Sequence, residues 1–232
     1  EQFMPNAKAF DQMGKIASAL AMTILDAIAA GTLAAVIAFI LAVIASRVSG
    51  VGGPVQMVIR AFATVLRNIP TVAWGFILLF SFKQAEFTGF LALFFKSLGF
   101  LTRAFIETID EADAGSIEAL KATGASKLQI IVHGVFPLSL TQVVSWVLYM
   151  IETNFRDATL VGMLTGTGIG FVFNWYYRTF KYPTAGLVII CIAVAVIVVE
   201  AVSNYVRRRI GAPDGHSGEM RASHGKIKVR VR

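Results

Sequence analysis

What most constrains this chain is a series of apolar runs, each long enough to cross a lipid bilayer. A spanning helix needs about 20 mostly apolar residues at about 1.5 Å of rise each. Five stretches qualify: residues 20–45, 55–82, 87–109, 128–151 and 184–206. A chain of 232 residues accommodates about five such spans with their connections. Charged residues make up 15% of it, against roughly 25% in a soluble domain. The expected class is an all-α polytopic membrane protein. The same figures exclude a collagen, a disordered chain and a small disulfide scaffold. The single cysteine, Cys191, lies inside an apolar run, so there is no disulfide framework.

The net charge of +7 does not point to nucleic acid, because eight of the 21 Lys and Arg residues lie after residue 206. A basic tail directly behind an apolar segment is the usual cytoplasmic anchor of a membrane protein, in contact with lipid heads. Alternation then divides the chain into an N-terminal extracytoplasmic segment (1–19), a transmembrane domain (20–209) and a basic cytoplasmic tail (210–232). The polar loop 110–127 falls on the cytoplasmic side, and the short connection near 81–87 on the outer side.

Several polar residues interrupt the spans. Arg60 and Arg67 fall in the first half of the second run, and Pro70 follows them. Proline lacks an amide donor and disfavours helix just before it, so a break is expected at residues 68–70. Lys96 sits near the middle of the third run. Glu152 and Arg156 are four apart, so on a helix they share a face and can pair. An ionisable group inside a bilayer costs about 2.5–3.5 kcal/mol by insertion scales, so such groups usually face a bundle interior or a watery path. Arg60 and Arg67 could instead snorkel to the headgroups, and Glu152–Arg156 could serve only as a structural pair. Gly162, Gly166 and Gly170 recur every four residues and, on one helix, would form a flat packing stripe. Trp175, Tyr176, Tyr177 and Tyr182 fit an interfacial aromatic belt.

No catalytic residue can be proposed. The three histidines lack metal-ligand spacing, and no Gly-Lys-Ser/Thr follows the glycines, so neither a metal site nor a Walker motif is expected. The chain cannot hydrolyse ATP alone.

The segment 107–140 reads ETIDEADAGSIEALKATGASKLQIIVHGVFPLSL. Ser116 is a plausible N-cap for a short helix over 117–123. Gly124 suits the left-handed C′ position, and Ser126 can cap the next helix. Glu118-Ala119-Leu120, Gly124 and Pro137 fall at the spacing of a cytoplasmic loop in the membrane subunits of bacterial ABC importers. That loop reads E-A-A-x-x-x-G, then nine residues, then I-x-L-P. This chain resembles the family and departs at Leu120, Gly134 and Phe136. The resemblance implies a type I ABC importer permease fold with a coupling helix. Ser116, Glu118, Ala119, Leu120, Ala122, Gly124, Ala125 and Lys127 would engage a separate ATPase subunit.

A narrower resemblance is to phosphonate importer permeases. It is carried by EALKATGASKL at 118–128 and YMIETNFRDATLVGMLTGTGIG at 149–170. Thr167 stands where that family often has glycine, and the 81–87 connection lacks its Gly-Pro-rich character. The resemblance implies two copies of the chain, two ATPase subunits holding ATP and Mg, an extracytoplasmic binding protein, and a bacterial plasma (inner) membrane. The cargo would be a phosphonate, phosphite or phosphate. Arg67, Lys96, Glu152, Asn154 and Arg156 would line its path. Guanidinium and ammonium groups lower the cost of desolvating an oxyanion. Pro70, Gly162, Gly166, Gly168 and Gly170 would serve helix packing or a gate. The alternatives are the same machine for another small solute, such as an amino acid, or a stand-alone anion channel, which would need no coupling loop.

Overall fold

The computed structural model describes residues 3–47, 52–111, 119–120 and 122–211, and every regular element among them is helical. A short helix, α1 (Ala7–Phe10), is capped by Asn6, whose side chain accepts the Ala9 N–H at 2.9 Å. Helix α2 (Met13–Ala45) follows, then α3 (Gly53–Asn68), α4 (Thr71–Phe82) and α5 (Glu86–Asp110). After the loop come α6 (Lys127–Ile130), one π turn (Ile131–Val135), α7 (Phe136–Thr165), α8 (Gly168–Arg178) and α9 (Tyr182–Arg209). Four of these, α2, α5, α7 with its π turn, and α9, are long and apolar enough to cross a membrane, and the bent pair α3–α4 makes a fifth if counted as one span.

Helix α2 shows how the bundle closes in lipid. From residue 27 onward its buried positions are all small: Ala27, Ala30, Gly31, Ala34, Ala38, Ala42 and Ala45. Their i+3 and i+4 spacing puts them on one stripe. Bulky Leu25, Val36 and Ile40 face outward. Without a hydrophobic drive between helices in lipid, close contact through small residues is what holds them. A Cβ on Gly31 would come within 3.0 Å of Ile151 Cγ1. Helix α5 is the central element, packed against α2, α3, α4 and α7. Phe105, Ile106, Leu101 and Ile109 fill the core at its lower half, with Met150 opposite.

Two ends are defined by the chain's alternation. The loop end carries Ala45, Asp110 and Gly124, and the far end carries α1, residues 83–85 and α8. At the loop end, Arg60 donates to Asp110 Oδ2 at 2.7 Å and to the Ala45 carbonyl at 3.1 Å, while Asp110 Oδ1 accepts the Arg47 N–H at 2.8 Å. This clasp ties the ends of α2 and α5 to α3. At the far end, Ala9, Ile16, Ile169, Tyr176, Ala185 and Val188 make a second core.

Three expectations about elements are corrected. Helix α2 begins at Met13, inside the segment expected to precede the spans, because Ile16 and Ala19 are buried in the far-end core. Helix α7 runs to Thr165 rather than stopping at 151, because its polar residues find partners within the bundle. Tyr176 is buried, its hydroxyl donating to Gln12 at 3.2 Å, so it does not belong to an exposed belt; Trp175 and Tyr177 are exposed.

Candidate functional site

The break in the second span has the place expected from Pro70, and α3 and α4 meet at 94°. The first residue of α4, Thr71, therefore lies deep in the bundle. At about 1.5 Å per residue it stands about 16 Å from the far end of α4. Lys96 is about 15 Å from the far end of α5, and Asp157 about 12 Å from that of α7. The three meet: Lys96 Nζ pairs with Asp157 Oδ2, and the Thr71 hydroxyl donates to the same oxygen at 2.5 Å. Both charged side chains keep about a fifth of their surface, 23% and 22%. Gly99 allows the close approach of α3 to α5 beside the break: a Cβ there would sit 2.5 Å from the Arg67 backbone nitrogen.

A second polar cluster lies on the other side of α7. Glu152 pairs with Arg156 at 2.9 Å, one turn away, and with Arg207 of α9 at 3.5 Å. Arg156 is largely exposed, whereas Arg207 is buried at 4%. Arg207 also donates to Asn204 Oδ1 at 3.1 Å, and its Nε makes no hydrogen bond. Asn154 is fully buried: its amide nitrogen donates to Ser97 Oγ at 2.7 Å and its amide oxygen accepts from it at 3.0 Å. Arg67 is exposed on α3.

Of the five residues expected to line a path, the structure thus brings Lys96 to α7 beside the span break and joins Glu152 to Arg156. It turns Asn154 toward Ser97 and leaves Arg67 on the outside of α3. Asp157, Thr71, Ser97 and Arg207 were not anticipated. Asp157 had a signal, an acid in an apolar segment directly after Arg156. Arg207 had none, being one of three consecutive arginines at a helix end.

At the loop end, Ser116 and Glu118 lie outside the described residues, as does the side chain of Lys127. Ala119, Leu120 and Ala122 are helical, and Gly124 has φ +79, the left-handed conformation expected of it. The Ala125 N–H reaches back to the Leu120 carbonyl at 3.2 Å, closing the turn. Ser126 and Gln129 cap each other's backbone N–H, at 2.8 and 3.4 Å, and start α6. Leu120 and Ala125 pack against the core of α2 and α5. A Cβ on Gly134 would stand 2.8 Å from Leu120 Cδ1. Two departures from the loop pattern are therefore complementary: the larger Leu120 occupies room that Gly134 leaves. The π turn precedes Pro137 and spans His133, whose carbonyl a proline ring would otherwise crowd.

The glycines do not share one helix. Gly166 ends α7 with φ +74, Gly168 follows with φ +60, and α8 folds back. A Cβ on Gly162 would meet the Thr167 carbonyl at 2.5 Å, and one on Gly170 would overlap the Thr159 carbonyl. They allow a tight helix hairpin, anchored where the Ile169 N–H donates to Thr23 Oγ1 at 2.9 Å. Among the described residues no three His, Cys, Asp or Glu converge as metal ligands.

Residues 34–212 match the family described as "Binding-protein-dependent transport system inner membrane component". The chain is 30% identical over 186 residues to the phosphite transport system permease protein of Stutzerimonas stutzeri, covering 80% of this chain and 68% of that one. It is 28% identical over 151 residues to the phosphate-import permease protein of Mycolicibacterium smegmatis, covering 65% of this chain and 28% of that one. Among solved structures, the MetNI methionine ABC transporter in an inward-facing form is similar with a TM-score of 0.71 at 18% identity, over 89% of this chain and 99% of that one. At that identity the likeness concerns the fold.

Proposed function

This chain belongs to the family of binding-protein-dependent transport system inner membrane components, with the type I ABC importer permease fold, and from that premise we propose that it is the membrane-spanning subunit of an ATP-driven importer of phosphorus oxyanions. The observation that carries the proposal is the 30% identity to a phosphite permease over 80% of the chain. A basic group at mid-depth, Lys96, suits an anionic cargo.

In this reading the loop end faces the cytoplasm, and so does the basic tail, in a bacterial plasma membrane. Two copies enclose the path. Two ATPase subunits, which hold ATP and Mg, dock on Ser116, Glu118, Ala119, Leu120, Ala122, Gly124, Ala125 and Lys127; this chain itself catalyses nothing. A binding protein delivers phosphonate, phosphite or phosphate at the far end. A helix held rigidly to Gly124 passes the ATPase motion to α6 and α7, which then swing relative to α5 and expose the path alternately to each side. Lys96 and Arg156 attract the anion, Arg67 meets it at the break, and Glu152 and Asn154 hold the wall. Pro70 and the hairpin glycines set the hinge and the far-end gate.

The test is uptake into proteoliposomes carrying the chain with its ATPase and binding protein. Phosphite, methylphosphonate and phosphate are compared with methionine and sulfate. ATP-dependent accumulation of a phosphorus oxyanion alone supports the reading, and accumulation of methionine instead overturns it.

A further inference from the structure

Lys96 is the basic group best placed to meet an anion at mid-membrane, yet its charge is already taken. Its ammonium rests on Asp157. The same carboxylate oxygen accepts the Thr71 hydroxyl, so α4, α5 and α7 all converge on one anion. Three features distinguish this arrangement from a structural pair sealed in a core. The pair is reachable, with about a fifth of each side chain open. It sits at the N-terminus of a 12-residue helix, where first-turn N–H groups have no partner within that helix and the dipole favours negative charge. That N-terminus is at mid-depth only because the span bends by 94°. Ammonium and hydroxyl already hold one carboxylate oxygen beside that helix N-terminus, which is the donor set an oxyanion needs.

We propose that Thr71, Lys96 and the N-terminus of α4 form a transit site for a tetrahedral oxyanion, and that Asp157 occupies this site between cargoes and is displaced by each. The proposal rests on the importer reading and specifies its binding step. A transit site must bind strongly enough to be entered and weakly enough to be left. A bare Lys96 in a low-dielectric interior would hold a phosphorus oxyanion too tightly for release. With Asp157 present, the cargo must first break an ion pair, and on release the carboxylate returns to Lys96. The resident acid therefore lowers affinity and speeds exit. It also spares the empty transporter an unpaired intramembrane charge.

The two partners should then have opposite effects on binding. The assay uses the detergent-solubilised complex of permease and ATPase, without the binding protein. It measures binding of radiolabelled inorganic phosphate, with phosphite and methylphosphonate as competitors and sulfate as control. Asp157→Asn should tighten binding about tenfold and slow ATP-driven uptake several-fold, because release becomes limiting. Lys96→Met should abolish binding and uptake, Lys96→Arg should keep part of both, and Thr71→Val should weaken binding several-fold. If the pair only braces the bundle, both single variants lose uptake without a gain in affinity, and Lys96→Met with Asp157→Asn together restores it; that pattern overturns the proposal. Wild-type uptake separates the two levels. Phosphorus oxyanion uptake by wild type, with binding unmoved in Asp157→Asn, removes the exchange site and leaves the importer standing. Absence of such uptake in wild type removes both.

Discussion

Among single residues, what decides a charged side chain's role here is whether its partner is buried with it. Glu152 bridges Arg156, which is largely exposed, and Arg207, which is not. Glu152→Gln leaves the buried Arg207 without its counter-charge and should cost about 3 kcal/mol. Arg156→Gln removes an exposed partner and should cost under about 1 kcal/mol. Thermal unfolding in detergent would separate them, and equal losses would show that Arg207 is not held by Glu152. The glycines follow a steric rule. Gly170→Ala puts a Cβ onto the Thr159 carbonyl and should destabilise by about 1–3 kcal/mol, whereas Gly14→Ala, with nothing within 4 Å, should be neutral or slightly stabilising. Residue identity made the candidates Lys96, Glu152 and Arg156 legible, since charge in an apolar run is conspicuous. It did not reveal their partners. The acid that meets Lys96 is 61 positions away in sequence, and only the packing of α5 on α7 joins them.

The helices themselves were readable wherever one local rule governed them. Pro70 broke the second span for the reason any proline does, and Gly124 turned the loop because its backbone is left-handed there. The angle of 94° was not readable, since it depends on what α3 and α4 pack against. The length of α7 was not readable for a related reason. Glu152, Asn154, Arg156 and Asp157 look like the end of a span by hydropathy, but each is neutralised or hydrogen-bonded by a neighbour, so the helix continues through them. The contact between Leu120 and Gly134 yields a prediction about how the loop helix is seated. Leu120→Ala should leave a gap and lower uptake through looser coupling. Gly134→Ile alone should clash with Leu120. Together the two changes restore the size pattern typical of the family's loop, so the double variant should regain much of the uptake that each single variant loses. If the double variant is as poor as the sum of the singles, Leu120 and Gly134 do not act as a fitted pair.

For the whole molecule, the fold places its parts at three depths. The loop end holds the Arg60–Asp110 clasp and the Gly124 turn, the middle holds Thr71, Lys96 and Asp157, and the far end holds the hairpin of α7 and α8. Helix α5 runs through all three and packs against α2, α3, α4 and α7. In the proposed importer, a push at the loop would reach the mid-depth site through these packed helices rather than through flexible connections. The all-α polytopic class was legible from hydropathy and the importer permease fold only from the loop resemblance; which helices touch was legible from neither, because it depends on packing between distant segments. ATP-driven accumulation of phosphite in proteoliposomes, measured side by side for wild type and Gly124→Val, tests the coupling account most directly. A β-branched side chain is strongly disfavoured at φ +79. The account predicts accumulation by wild type only when ATP is present, and at least a tenfold loss in the variant while the ATPase still binds. Equal accumulation with and without ATP, or an undiminished rate in Gly124→Val, would contradict it.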